Sequence, residues 1–116
     1  MRLIKSGEGT VYQAPNHFNF WGIRKFGPPE GSLGLAVSIS EFLPDGGATM
    51  TDSPDKERIY CVLRGTLTIK EENGTAHHME EGDMIYIAPG EKRDMTITGN
   101  VACRILVVVS PAPPKK

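Results

Sequence analysis

Apolar residues in this chain come in short runs separated by turn formers, and never at helical spacing. LGLAVSISEFL (33–43), RIYCVLRGTLTIKE (58–71), GDMIYIAPG (82–90) and CRILVVVS (103–110) are rich in Val, Ile, Leu, Tyr, Phe and Thr. Such runs predict strands. The pairs Asp45-Gly46 and Asn73-Gly74 and the breaker Gly27-Pro28-Pro29 separate them. No window of a dozen residues keeps apolar positions 3.6 apart, so any helix is short and peripheral. Asn73-Gly74, between TLTIKEE and TAHHMEE, predicts a hairpin closed by a type I′ turn, because both residues tolerate positive φ. The tail SPAPPKK is expected to leave the sheet, since proline has no N–H to donate and fixes φ.

Many short strands with almost no helix predict an all-β sandwich or barrel that pairs its own edges. A chain of 116 residues is enough for one core. We expect one domain over residues 1–110 and a flexible Pro/Lys tail over 111–116. Within the segment HFNFWGIRKFG, Phe18 and Phe20 share one strand face and Trp21 takes the other, so one side meets the core and the other a partner subunit or the pocket mouth.

Charge narrows the function. With 13 basic and 14 acidic residues the net charge is −1, which leaves no positive excess for a phosphate backbone. Nucleic acid is not an expected partner. No apolar run approaches the roughly 20 residues of a membrane span, and MRLIKSGEGT lacks the apolar centre of a signal peptide, so a soluble cytoplasmic protein is expected, with no membrane partner. Cys61 and Cys103 sit in apolar strand runs without CxxC spacing and read as buried thiols with no chemical role.

The order of parts from Gly46 to Asn100 resembles the cupin superfamily. The first family motif, a glycine followed by HxH, a glutamate and a V-L-x-G turn, is matched by Gly46-Gly47, Thr51-Asp52-Ser53, Arg58 and Val62-Leu63-Arg64-Gly65. The second, GD, an apolar strand, PG, a histidine and an asparagine, is matched by Gly82-Asp83-Met84-Ile85-Tyr86-Ile87-Ala88-Pro89-Gly90, Arg93 and Gly99-Asn100. The resemblance implies a cupin-type jelly-roll barrel, a double-stranded β-helix, and a homodimer. It also implies that Thr51, Ser53, Arg58 and Arg93 occupy the metal-ligand positions. Hydroxyls bind divalent metal weakly and guanidinium does not bind it, so no metal is expected there. With no cofactor fingerprint in the chain, no cofactor is expected either.

In the family the residue seven before the V-L-x-G glycine points inward, and that residue is Arg58. Arg58, Tyr60 and Val62 then face the interior, with Glu57, Ile59 and Cys61 outside. Two arginines inside a barrel require a negative partner, because each guanidinium otherwise loses its hydration uncompensated. The expected ligand is a small anionic molecule, a carboxylate or sugar acid, bound by Thr51, Ser53, Arg58 and Arg93. Tyr60 and Tyr86 lie on the two motif strands and are the candidate proton-transfer groups, for an isomerase, lyase or cyclase type of reaction. Met50, Met84 and Met95 are candidate apolar lining.

Other readings stay open from sequence. Arg58 could pair with Asp55 or Glu57, and Arg93 with Glu91 or Asp94, at the rim without any ligand. A non-catalytic sensory module needs only the binding residues. An atypical metal site could draw on Asp52, Glu57, His77 and His78. The histidine pair follows the hairpin and reads as surface, and His17 stands after Pro15-Asn16 with no identifiable partner.

Overall fold

β-Strands, three of them interrupted by bulges, make up most of the computed structural model, which describes residues 1–112. Its strands are β1 (Thr10–Tyr12), β2 (His17–Phe26), β3 (Ala36–Thr51), β4 (Lys56–Arg64), β5 (Thr66–Glu71), β6 (Ala76–Met79), β7 (Met84–Ile87), β8 (Arg93–Thr98) and β9 (Cys103–Pro111). A single 3-10 turn at Pro28–Glu30 follows β2. No helix among the described residues is long and apolar enough to cross a membrane.

The antiparallel strand order is β6-β5-β8-β3-β9-β4-β7, and β2, carrying β1, pairs with β3. This is the jelly-roll barrel expected from the sequence. Its hinge is β3, whose first half pairs with β9 from Ala36 to Phe42 and whose second half pairs with β8 from Gly47 to Thr51. One long strand therefore joins the two runs of the sheet on either side of it. The first-motif glycine has a steric reason, because a Cβ on Gly47 would lie 2.3 Å from the Met95 carbonyl oxygen.

The apolar core fills one end of the barrel. Phe42, Val62, Leu67, Ile69, Cys103 and Ile105 are at most 2% exposed, and a side chain buried to that degree contributes about 1.5–3 kcal/mol. Cys61 and Cys103 are both free and buried, and burial pushes the Cys103 thiol up to about 11. Neither is poised to react.

Three local expectations need correction. The hairpin at Asn73-Gly74 forms, but with a three-residue loop: the Gly74 N–H donates to the Glu71 carbonyl at 2.9 Å, and only Gly74 has positive φ, at 91°. The loop is a type I turn closed by a glycine bulge. In β2 a bulge at Asn19, φ 49°, breaks the alternation; Phe20 packs on the core while Phe18 is 45% exposed. The tail does not leave the sheet at Ser110. Ser110 and Pro111 pair with Glu57 and Lys56, since a proline at the last strand position removes no interior ladder bond. Residues 113–116 of the expected tail lie outside the described residues.

Candidate functional site

Three neighbouring strands change character along their length. Across β3, β9 and β4 the inward rows read Ser40, Ile105 and Val62, then Ser38, Val107 and Tyr60, then Ala36, Val109 and Arg58. Large apolar side chains give way to short and polar ones, and the interior opens. The result is a cavity of about 240 Å³, completed by Tyr12, Ala14, His17, Arg24, Phe42, Lys56 and Met95. Among the described residues no aspartate or glutamate lines it.

Arg58 is the cationic group expected there. Its Nη2 donates to the Ser53 hydroxyl at 2.6 Å, while its Nε–H is buried with no acceptor among the described residues. Arg93, only 8% exposed, approaches from β8 behind Tyr60. Its Nη1 donates to the Thr51 carbonyl at 3.1 Å and its Nη2 to the Tyr60 hydroxyl at 3.2 Å. Arg93 also lines a second cavity, of about 170 Å³, with Glu71, His77 and Ile85. Its link to the first cavity runs through the Tyr60 hydroxyl.

The rim-pairing alternative for the arginines is not what forms. Among the described residues the ion pairs are Arg24–Glu30, His77–Glu71, Lys92–Glu72 and Arg104–Glu41. Two of the four acidic neighbours are engaged elsewhere: Glu57 accepts from the Tyr86 hydroxyl at 3.0 Å and Glu91 from the Ala88 N–H at 2.8 Å. Among the described residues Arg58, partly buried, thus has no carboxylate partner, while buried Arg93 sits across from Glu71 on β5 without an ion pair to it; a guanidinium left so is costly without an anion.

The structure divides the six sequence candidates. Arg58 and Tyr60 line the main cavity, and Tyr60 is 5% exposed. Ser53 and Thr51 do not line it; the first fixes Arg58 by its hydroxyl and the second fixes Arg93 by its carbonyl. Arg93 acts from behind Tyr60. Tyr86 does not reach the cavity, because β7 pairs with β4 in the register Ile59↔Tyr86 and Tyr60↔Ile85, which turns Tyr86 outward and leaves it 55% exposed. Its phenol is raised above its ordinary pKa by the bond to Glu57, the opposite of an activated group. Of the methionines, Met95 lines the cavity, whereas Met50 and Met84 are exposed.

His17 was not singled out by sequence. It begins β2, opposite Ala48, and its ring packs against Phe20 and Phe42 with centroids 4.8 and 5.9 Å apart. Nδ1 lies 2.7 Å from the Pro15 carbonyl, so a neutral ring carries its proton there and its lone pair on Nε2. Burial lowers its pKa below 6.5, opposed by the Pro15 carbonyl and assisted by the positive charges of Arg93 and Arg58. Ser38 and Ser40, 7% and 4% exposed, were missed as well.

The residues at the family's ligand positions do not fit a metal ion. Arg58 and Arg93 present protonated N–H groups and no lone pair. The alternative set of Asp52, Glu57, His77 and His78 does not come together: Glu57 faces outward to Tyr86, His77 bonds Glu71 at 2.7 Å, and His78 bonds Thr68 on the neighbouring strand at 2.8 Å. Among the described residues no three His, Cys, Asp or Glu side chains converge.

Comparison with known proteins places this geometry. Solved structures similar to the chain include the polyketide cyclase RemF from Streptomyces resistomycificus, with TM-score 0.81, 20% identity, and 98% of this chain and 82% of that one covered. A predicted oxalate decarboxylase from Thermotoga maritima gives 0.82 at 17% identity, covering 96% and 100%. KdgF from a Halomonas species gives 0.80 at 12% identity, covering 97% and 96%. At these identities they share the fold. No curated protein sequence matches. The cupin-domain family profile does match, over residues 39–109, more than half of the chain. With both motif turns in place around the jelly roll, the chain belongs to the cupin family.

Proposed function

We propose that the protein binds a small organic acid in the 240 Å³ cavity, with Arg58 as its anchor and Arg93 and Tyr60 completing the polar wall. The observation that carries this reading is the cavity's composition: Arg58, Lys56, Arg24 and His17 line it, and no carboxylate does. Glu30 neutralises Arg24 through two contacts at 2.5 and 2.8 Å. Arg58 has no such partner among the described residues. A carboxylate or sugar acid would supply an acceptor for the guanidinium fork, and the Ser38 and Ser40 side chains leave room for its remaining atoms.

A metal-independent isomerase, lyase or cyclase reaction is the catalytic form of this reading, with Tyr60 as proton-transfer group. The test is calorimetric titration and thermal shift with a panel of carboxylates and sugar acids on wild type and Arg58→Ala. Wild type should be stabilised by at least one of them and the variant should not. Equal shifts in both proteins sink the role of Arg58. Turnover that falls much further than binding in Tyr60→Phe marks an enzyme.

A homodimer through the outer sheet face belongs to the same proposal. Trp21, Ile59, Leu63 and Met84 project there and are 38–70% exposed. Light scattering should give twice the chain mass for wild type and a monomer for Trp21→Glu. A wild-type monomer ends that part of the reading.

A further inference from the structure

The cavity holds one neutral base among its cations. His17 is fixed in it by three contacts: Nδ1–H to the Pro15 carbonyl at 2.7 Å, and the rings of Phe20 and Phe42 on its faces. These leave Nε2 as the free edge, since the ring's hydrogen bond among the described residues is the one through Nδ1. Charged and titratable groups share the cavity with it, and the charges of Arg93 and Arg58 act on its ring. Arg58, Tyr60 and Lys56 come from β4, Arg24 from its own strand, Tyr12 from β1, and Arg93 lies behind Tyr60 on β8. Among the described residues no carboxylate lines the cavity, and the one bonded to these cations, Glu30, is held by Arg24.

Without a bound anion, a proton on Nε2 would add a further positive charge to a cationic enclosure. An anion seated against Arg58 reverses that balance, because it attracts both the guanidinium and an imidazolium. We infer that His17 is the proton-exchange group of this site: when an organic anion docks at Arg58, Nε2 takes up one proton from solvent and the ring becomes an imidazolium facing the ligand. The inference rests on the anion-binding reading above. It also makes His17, in place of Tyr86, the second group of the cavity able to move a proton to or from a bound acid.

The lowered affinity of His17 for protons in the free protein, caused first by burial and then by Arg93 and Arg58, agrees with this arrangement. The consequence for binding follows from linkage. Between the pKa of the free ring and the higher pKa of the ligand-bound ring, affinity for the anion rises by up to about tenfold for each unit that pH falls. Outside that window it is flat.

The experiment is an NMR titration of the His17 ring in the full chain, with acetate, malonate and sulfate as probes, and His17→Gln to assign its signals. Arg58 and Tyr60 resonances report separately whether a probe occupies the cavity. The expected result is an occupied cavity with the His17 titration moved to higher pH. Calorimetry in two non-anionic buffers of different ionisation enthalpy should then show net proton uptake that His17→Gln abolishes. A probe that occupies the cavity while the His17 titration stays where it was overturns the inference and leaves anion binding standing. If none of the three perturbs Arg58 or Tyr60, the anion-site reading fails and the proton-exchange role falls with it. Neither outcome depends on a variant that could fail to fold, since the titration is made on wild type.

Discussion

The two ends of the barrel interior are built by the same strands and behave as opposites. On β3, Phe42 fills one end and Ser38 opens the other; on β4, Val62 and Arg58 do the same. The filled end has apolar side chains at most 2% exposed, and buried Ser40, which pairs with Ile105, marks where it passes into the open end. The open end keeps a buried guanidinium N–H without an acceptor. Stability is concentrated at the first and unspent recognition at the second, which is how a rigid scaffold carries a site.

Breaking the filled end should have the largest effect. Leu67→Ala removes a side chain 1% exposed and is expected to lower unfolding stability by about 2–5 kcal/mol. Denaturant titration checks it, and a loss below about 1 kcal/mol would mean that the core is not concentrated there. Next comes the partition between the two ends. Tyr60→Phe takes the hydroxyl acceptor from Arg93 Nη2 and should cost about 1.5–3 kcal/mol, as a bond to a charged donor does.

At the open end the sign should differ. Arg58→Leu removes a charge that has no carboxylate partner among the described residues, so the ligand-free protein should be unchanged or stabilised by about 1 kcal/mol, the low end for a half-buried charge. Anion binding should be lost in the same variant. A destabilisation comparable to that of Leu67→Ala would show Arg58 to be a structural residue.

The contrast between the ends was only half legible in the sequence. The inward parity of Arg58 follows from its distance to Gly65, and β4 keeps that parity. In Val37-Ser38-Ile39-Ser40 the alternation separates two faces without saying which is inside. The apolar face lies outward, against Ile23 and Leu106, and the serines line the cavity. His17 was invisible because its place depends on pairing with Ala48, a partner 31 positions away (48 − 17), across a bulged register. Side-chain chemistry was readable where a turn fixed the parity, and silent where a distant strand did.

A smaller and pH-dependent difference should mark His17. Its folded pKa lies below the ordinary 6.5, so above that pH neither state binds the proton and His17 leaves stability unaffected. As pH falls below 6.5 the unfolded chain takes up the proton first, and stability declines until the folded ring also titrates. The decline should be absent from His17→Phe relative to wild type in denaturant titrations from neutral pH downward, without ligand. A wild-type curve that rises with acidification on account of His17 would reverse the burial argument.

The smallest effect separates the two tyrosines that the sequence placed together. Tyr86 is 55% exposed and bonds Glu57 on the outer face, where loss of a hydroxyl leaves both groups to water. Tyr86→Phe should therefore change stability by no more than about 0.5 kcal/mol and leave anion affinity as in wild type. Tyr60→Phe, one strand away at a buried position, should change both. Calorimetry on the two variants side by side reads the difference directly. If Tyr86→Phe weakened binding as much as Tyr60→Phe, the outer face of β7 would belong to the site.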